Sequence, residues 1–119
     1  VKPNDTLGQL VEVIAHSHRN IYPVVDDDQI LRGIITLDDV REIMFQRDKY
    51  ETVKVKDLSH SPPAMIKMGD EMEAVMAKFD ETGAWNLPVV QDGKYVGFLS
   101  KSKIFSSYRR LLVNQAKEQ

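Results

Sequence analysis

The chain has 119 residues, in which 16 Lys and Arg nearly balance 18 Asp and Glu and leave a formal net charge of −2 at pH 7. This balance provides no global basic field, so nucleic acid and anionic membrane surfaces are not expected as partners. Cysteine is absent, which excludes disulfides, thiolate zinc sites and a cysteine nucleophile, and no apolar run is long enough to cross a bilayer.

The first predicted elements are a short extended segment at 1–3 and an amphipathic helix. The helix is indicated by apolar residues at the spacing i, i+3, i+4 and i+7, namely Leu7, Leu10, Val11 and Ile14. Asp5 or Thr6 can cap its start, because both residue types are common at that position.

A β-hairpin and a closing helix are predicted next. Two apolar runs with β-branched residues, 22–25 and 30–36, flank the polar turn 26–29. The helix that follows is marked by Val40, Ile43 and Met44.

The second half of the chain repeats the first. Pro23 returns as Pro88, 65 residues later, and Gly33 returns as Gly97, 64 residues later. A unit too small to bury its own apolar face is stabilised by packing on its twin, and function is therefore expected in the cleft between the copies.

The elements of the second repeat follow the same order. They are an extended segment at 64–68, a helix capped by Asp70, a hairpin of 87–90 and 95–100, and a longer closing helix. The apolar positions of the two helices are Met72, Val75, Met76 and Phe79 in the first and Ile104, Tyr108, Leu111 and Leu112 in the second.

These boundaries predict one domain built from two repeats. Repeat one is 1–47, a linker with the prelude of repeat two is 48–63, and repeat two is 64–119. Repeat one lacks a prelude of its own, which predicts that the chain is a fragment of a longer protein.

The segment 33–39, at the turn from strand to helix, carries the most informative polar residues. Thr36 can donate a hydrogen bond to a phosphate beside the first amides of the helix, and the carboxylate of Asp39 suits the vicinal hydroxyls of a ribose. The alternative is structural: Thr36 or Asp38 is an N-cap, and Asp39 is a charge in the first turn.

Other candidate residues have simpler interpretations. His16, His18 and His60 lack the spacing of metal ligands and are interpreted as solvated, and the aspartates at 26–28 are interpreted as a solvated turn rather than a cation site. Trp85 is interpreted as a core or dimer contact, with purine stacking as the alternative. Arg109 and Arg110 are interpreted as part of a solvated helix face. Four methionines are interpreted as packing residues, with an adaptable wall of a binding site as the alternative: Met65, Met68, Met72 and Met76.

The hairpin and turn motifs together resemble a known family. The sequence Tyr-Pro-Val-Val-Asp at 22–26 and the pattern Gly-Ile-Ile-Thr-x-x-Asp at 33–39, each with a counterpart about 65 residues on, resemble a tandem pair of CBS domains, the Bateman module. The resemblance covers essentially the whole chain. Residues 19–23, 33–45 and 100–105 are further similar to the cytoplasmic C-terminal pair of bacterial chloride channel or transporter proteins.

The resemblance implies an α+β fold with a β-α-β-β-α unit in each repeat and two composite clefts between the packed sheets. Family members often bind adenine nucleotides there, so AMP, ADP or ATP is implied as a regulatory ligand. The residues implied for the first cleft are Thr36 and Asp39 from repeat one with Ala64, Met65, Ile66, Trp85, Asn86 and Pro88 from repeat two.

The mirror cleft departs from the family pattern. Its implied residues are Lys2, Asn20, Tyr22, Pro23, Ser100 and Lys103. Lys103 replaces the aspartate, and since a lysine cannot accept hydrogen bonds from ribose hydroxyls, at most one adenosine site per chain is expected, although Lys103 could meet a phosphate.

The resemblance implies a function without catalysis. The expected role is a regulatory and dimerisation module on the cytoplasmic face of a chloride transport protein, joined to a transmembrane portion. The alternatives are a sensor attached to a nucleotide-metabolising enzyme and a free-standing nucleotide binder, and many family members act as dimerisation modules without a known ligand. No nucleophile with a base, metal cluster or acid-base pair is visible, so no catalytic residue, metal or required cofactor is expected.

Overall fold

The computed structural model describes residues 1–104 and 106. The chain divides into two compact units. Unit 1 comprises Val1–Pro62 with Gly93–Tyr95, and unit 2 comprises Pro63–Asp92 with the described residues from Val96 onward. The described residues form a mixed α+β fold with one two-stranded and one three-stranded sheet, in agreement with the fold class predicted from the sequence.

Unit 1 begins with helix α1, Leu7–Ala15, and an antiparallel hairpin. Thr6 caps α1: its hydroxyl accepts from Gln9 N, and the Gln9 side chain accepts from Thr6 N. This reciprocal capping box selects Thr6 from the two predicted caps.

The hairpin of unit 1 consists of strands β1, Ile21–Val25, and β2, Leu31–Thr36. Tyr22 and Val24 are the buried residues of β1, and they follow the period of two expected for a strand. Asp26 closes the turn, because its carboxylate accepts from the backbone of Asp28 and Ile30.

The helix that follows the first hairpin is shorter than predicted. Helix α2 spans only Leu37–Val40, and Ile43 and Met44 lie in the turns beyond it. The Tyr50 hydroxyl donates to the carbonyl of Met44 in the turns that follow α2.

A 3-10 turn, Arg47–Lys49, leads into the segment 48–63, which is interpreted above as a linker and prelude and contains helix α3, Val55–Leu58. Val55 is fully buried in the core of unit 1, and its amide donates to Asp5 O at 2.8 Å. The buried residues of this core are Leu7, Leu10, Val24, Ile35, Val40 and Val55.

The described part of unit 2 contains an 11-residue helix and most of the three-stranded sheet. Its elements are β3 (Ile66–Lys67), α4 (Met72–Thr82), β4 (Asn86–Gln91) and β5 (Lys94–Ser100), and residues 101–104 and 106 are helical. Strand β3 pairs parallel with β4, and the order β3-α4-β4-β5-helix matches the implied repeat. Phe79 and Leu87 are fully buried in its core. Tyr108, Leu111 and Leu112 lie outside the described residues.

The prediction that Asp70 caps α4 is wrong. The N-cap is Glu71, which makes no side-chain cap bond. The Asp70 carboxylate instead accepts from Lys67 N and from the Lys78 ammonium, both at 3.0 Å, so it ties strand β3 to α4.

Candidate functional site

The junction of β2 and α2 brings Thr36 and Asp39 together, as the motif predicts. Thr36 has extended backbone angles and is the N-cap of α2. Oδ2 of Asp39 accepts from Thr36 N at 2.8 Å and from Thr36 Oγ1 at 3.0 Å, and Asp39 N donates to Thr36 Oγ1 at 3.4 Å. The structural interpretation of these residues is therefore confirmed, because they form a capping box.

His60 also contacts this carboxylate. Its Nε2 lies 2.8 Å from Asp39 Oδ2, and the side chains of His60 and Asp39 are 47% and 26% exposed. Burial of Asp39 opposes its ionisation, but hydrogen bonds from Thr36 and His60 outweigh that effect and hold the pKa of the Asp39 carboxyl below its ordinary value. The site therefore presents an ionised, partly shielded acceptor.

The backbone fixes His60 at this place. Its N–H donates to Ile34 O at 3.0 Å and its carbonyl accepts from Ile34 N at 2.8 Å, which forms a bridge beside β2. A Cβ at Gly33 would lie 3.0 Å from the His60 carbonyl oxygen. Glycine at this position therefore lets the segment pack closely against β2.

His60 is exposed, in agreement with its interpretation as solvated, but it also pairs with Asp39, which the sequence did not predict. Sequence reasoning missed the pair because 21 residues separate its members and no local pattern connects them. His16 instead pairs with Glu12 on α1 at 3.0 Å. In the part of the chain that the structure describes, no group of three or more His, Asp and Glu residues could hold a metal ion.

The other six residues implied for the first cleft lie in unit 2. Ile66 and Pro88 are buried, Ala64 and Asn86 are half-buried, and Met65 is exposed. Trp85 is 70% exposed, so its interpretation as a core residue is wrong, and the Lys101 ammonium lies 5.2 Å from the centre of its ring. The meeting of these residues with Thr36 and Asp39 stays a prediction.

The residues of the mirror cleft differ in chemistry from those of the first. Ser100 Oγ accepts from Lys103 N at 3.2 Å, as Thr36 does from Asp39, but Lys103 cannot return the bond as an acceptor. In unit 1, Lys2 pairs with Asp27 at 2.6 Å, and the hydroxyl of the buried Tyr22 donates to Arg19 O. Asn20 is exposed, and Pro23 lies in β1 and is half-buried.

The remaining candidates of the sequence analysis have structural roles where they are described. Asp26 pairs with Arg32 at 2.6 Å in the turn of the first hairpin. Met72 and Met76 pack against the core of unit 2, whereas Met65 and Met68 are exposed. Arg109 and Arg110 lie outside the described residues. Of the helices that the structure describes, none combines the length and apolar character needed to cross a membrane.

Comparison with known proteins identifies the repeats. The profile of the CBS domain matches residues 1–46 and again residues 55–110. Inosine-5′-monophosphate dehydrogenase of Methanocaldococcus jannaschii is 33% identical over 101 residues, which cover 84% of this chain and 19% of that enzyme. The chain spans about a fifth of the length of the first curated relatives it matches.

Solved structures agree with this fold. The CBS domain of a CBS-domain-containing membrane protein from Sphaerobacter thermophilus superposes with a TM-score of 0.74 at 21% identity, covering 89% of this chain and 78% of that one. CBSX2 in complex with AMP superposes with a TM-score of 0.75 at 25% identity, covering 93% and 87%. Because the family profile matches most of the chain in two consecutive stretches, the protein belongs to the CBS domain family and carries the domain as a tandem pair.

Proposed function

We propose that this CBS pair is a non-catalytic regulatory module that binds one adenine nucleotide, AMP, ADP or ATP, through Thr36 and Asp39. A single observation carries the proposal: the Asp39 carboxylate is ionised and held in place by Thr36 and His60 at the strand-to-helix junction. An ionised carboxylate only accepts hydrogen bonds, so it complements hydroxyl groups such as those of a ribose. The AMP complex of CBSX2, which shares the fold, supports this ligand class.

The remaining contacts of the nucleotide belong to the same proposal. The exposed ring of Trp85 offers a face on which a purine can stack, and Ala64, Met65, Ile66, Asn86 and Pro88 would enclose the base. A second nucleoside is not expected at Ser100, because Lys103 stands where Asp39 stands in the first repeat. We also propose the boundaries predicted from the sequence: repeat one at 1–47, the linker and prelude at 48–63, and repeat two at 64–119.

Calorimetric titration with AMP, ADP and ATP tests the nucleotide site. We expect one site per chain in the wild type, and at least about tenfold weaker binding in Asp39→Ala, since a hydrogen bond to a charged group contributes about 1.5–3 kcal/mol. The matched control is Asp38→Ala, whose carboxylate is 77% exposed and pairs with Arg41. Two equivalent sites, or equal affinity of Asp39→Ala and Asp38→Ala, would contradict the proposal.

We further propose that the module dimerises and regulates a chloride channel or transporter from the cytoplasmic face of its membrane. The similarity of residues 19–23, 33–45 and 100–105 to that class supports this attachment, and the membrane protein of Sphaerobacter thermophilus has a CBS domain of the same fold. Light scattering at about 10–50 micromolar tests dimerisation, because a regulatory homodimer should persist in this range. A monomer at these concentrations would contradict it.

The second candidate is a sensor attached to a nucleotide-metabolising enzyme. The match to inosine-5′-monophosphate dehydrogenase favours it. The gene that encodes the full protein separates the two candidates, because a transporter requires many apolar helices outside this module and an enzyme requires a catalytic domain.

A further inference from the structure

The two oxygens of the Asp39 carboxylate have different surroundings. Oδ2 accepts three hydrogen bonds, from Thr36 N, Thr36 Oγ1 and His60 Nε2, at 2.8, 3.0 and 2.8 Å. Oδ1 accepts no hydrogen bond from the described residues, 1–104 and 106. A carboxylate oxygen offers about two lone-pair positions, so Oδ2 is saturated and Oδ1 is the oxygen available to a ligand.

The donors on Oδ2 come from two separate segments. Thr36 belongs to the same capping box as Asp39 and holds the carboxylate from its own turn. The side chain of His60 reaches it from the segment after α3. The χ2 angle of an aspartate has a broad distribution. Donors from one turn alone therefore leave the orientation of the carboxylate plane loosely defined. A donor from a second segment restricts this orientation.

His60 is itself held at three points. Its backbone forms the two-bond bridge with Ile34, and its Nδ1 lies 3.2 Å from the carbonyl oxygen of Ser61. The ring nitrogens thus face a carbonyl oxygen and a carboxylate oxygen, two groups that only accept hydrogen bonds. The ring is therefore placed to support Asp39, although about half of the side chain is exposed.

We propose that His60 is a positioning residue of the nucleotide site: it binds Oδ2 of Asp39 and thereby directs Oδ1 toward a hydroxyl group of the ligand. This inference rests on the proposed function, because it names the ligand atom that Asp39 recognises. Its consequence is specific. His60 should contribute to the affinity only of ligands that carry the ribose hydroxyls.

The test compares two nucleotides on three variants. AMP and its 2′,3′-dideoxy analogue are titrated calorimetrically into the wild type, His60→Ala and His60→Gln. We expect His60→Ala to weaken AMP binding by about tenfold, the effect of one hydrogen bond to a charged group, and to leave the affinity for the dideoxy analogue unchanged. His60→Gln keeps an N–H donor at a similar reach and should restore most of the AMP affinity.

The matched control is His18→Ala, which removes an exposed imidazole from the same unit and should alter neither affinity. An equal loss for both nucleotides in His60→Ala would overturn the inference, because a structural defect weakens every ligand alike. Equal affinity of the wild type for the two nucleotides would also overturn it, while leaving nucleotide binding itself intact. If His60→Ala does not fold, His60→Leu removes the donor while keeping more of the side-chain volume, and the same comparison of the two nucleotides decides.

A measurement without ligand separates this inference from the proposed function. If the wild type binds neither nucleotide, the proposed function fails, and the carbon-13 titration of the Asp39 carboxyl then decides the role of His60. Removal of the His60 donor should raise the pKa of Asp39 toward its ordinary value of 3.8. If the pKa of Asp39 is the same in the wild type, His60→Ala and His18→Ala, the positioning role is overturned.

Discussion

Gly33 and Gly97 occupy equivalent places in the two repeats, but their surroundings differ. A Cβ at Gly33 would lie 3.0 Å from the carbonyl oxygen of His60, whereas a Cβ at Gly97 would meet nothing within 4 Å. The His60 carbonyl cannot yield easily, because it accepts from Ile34 N at 2.8 Å. Only one of the two glycines is therefore required by packing.

We expect Gly33→Ala to lower the free energy of unfolding by about 1–3 kcal/mol, the usual cost of overpacking. Gly97→Ala is the matched control and should be neutral or stabilising by up to about 1 kcal/mol, because alanine restricts the unfolded chain more than glycine does. Urea unfolding of the two variants measures the difference. Equal effects would show that His60 does not pack closely on β2.

Asp39 should make the stability of the protein depend on pH in the acid range. The pKa of its carboxyl is lower in the folded protein than its ordinary value of 3.8, so the folded state favours the ionised form. The resulting stabilisation is fully present above the ordinary value and disappears as the pH falls through the lower, folded pKa.

Urea unfolding of the wild type and Asp39→Asn between about pH 2 and pH 6 measures this contribution. The stability difference between the two should be constant near pH 6 and should shrink below about pH 4. Asp38→Asn, which removes an equal charge from an exposed neighbour, corrects for the change in net charge. A difference that grows on acidification would contradict the lowered pKa of Asp39.

The sequence predicts two of the three residues that meet at this site. Thr36 and Asp39 lie three residues apart, and a hydroxyl followed by a carboxylate at that spacing predicts either a cap or a ligand contact. His60 could not be found in this way, because a single sequence does not show which distant residues meet. The fully buried Val55 was missed for the same reason.

At the level of elements, helices α1 and α4 begin differently although they are repeats of one another. Thr6 and Gln9 form a capping box on α1, and the equivalent positions 65 residues later are Glu71 and Ala74. Glu71 makes no side-chain cap bond on α4. The amides at the start of α4 therefore lack the partner that Thr6 supplies in unit 1.

Transfer of this cap should stabilise unit 2. We expect Glu71→Thr combined with Ala74→Gln to raise the free energy of unfolding by about 0.5–2 kcal/mol, the range measured for N-caps. The matched control is Thr6→Ala, which should lower it by a similar amount. Urea unfolding measures both changes, and a transferred cap without any gain would mean that α4 already satisfies its first amides in another way.

The existence of the elements was more predictable than their ends. The two hairpins follow from runs of β-branched residues around polar turns, and both lie within two residues of their predicted positions. Helix α2 ends at Val40, while the Tyr50 hydroxyl binds the Met44 carbonyl beyond it, and Asp70 engages Lys67 and Lys78 rather than capping α4. Such tertiary contacts override local propensity, so the sequence pattern alone misplaces these boundaries.

For the whole molecule, the repeat was the decisive signal. The recurrence of Pro23 as Pro88 and Gly33 as Gly97 predicted the tandem architecture that the CBS domain profile now identifies. The target of such a module is less predictable, because proteins as different as homoserine O-acetyltransferase and inosine-5′-monophosphate dehydrogenase match this chain over about a fifth of their length. A regulatory domain is recognised by its own fold, whereas its target is set by the rest of the chain.

The proposed role in chloride transport predicts a moderate effect of nucleotide on anion flux. A ligand shifts a conformational equilibrium only through its different affinity for the two states, and coupling of this kind is usually about 1–3 kcal/mol, or roughly 5- to 150-fold in the equilibrium. In vesicles that contain the full-length parent, AMP, ADP or ATP should therefore change chloride efflux by a limited factor rather than switch it fully. Asp39→Ala should remove this response, whereas Asp38→Ala should retain it. Flux that ignores nucleotide in the wild type would favour a purely structural module or an enzyme as the parent, and a response that survives Asp39→Ala would place the sensor outside the site at the start of α2.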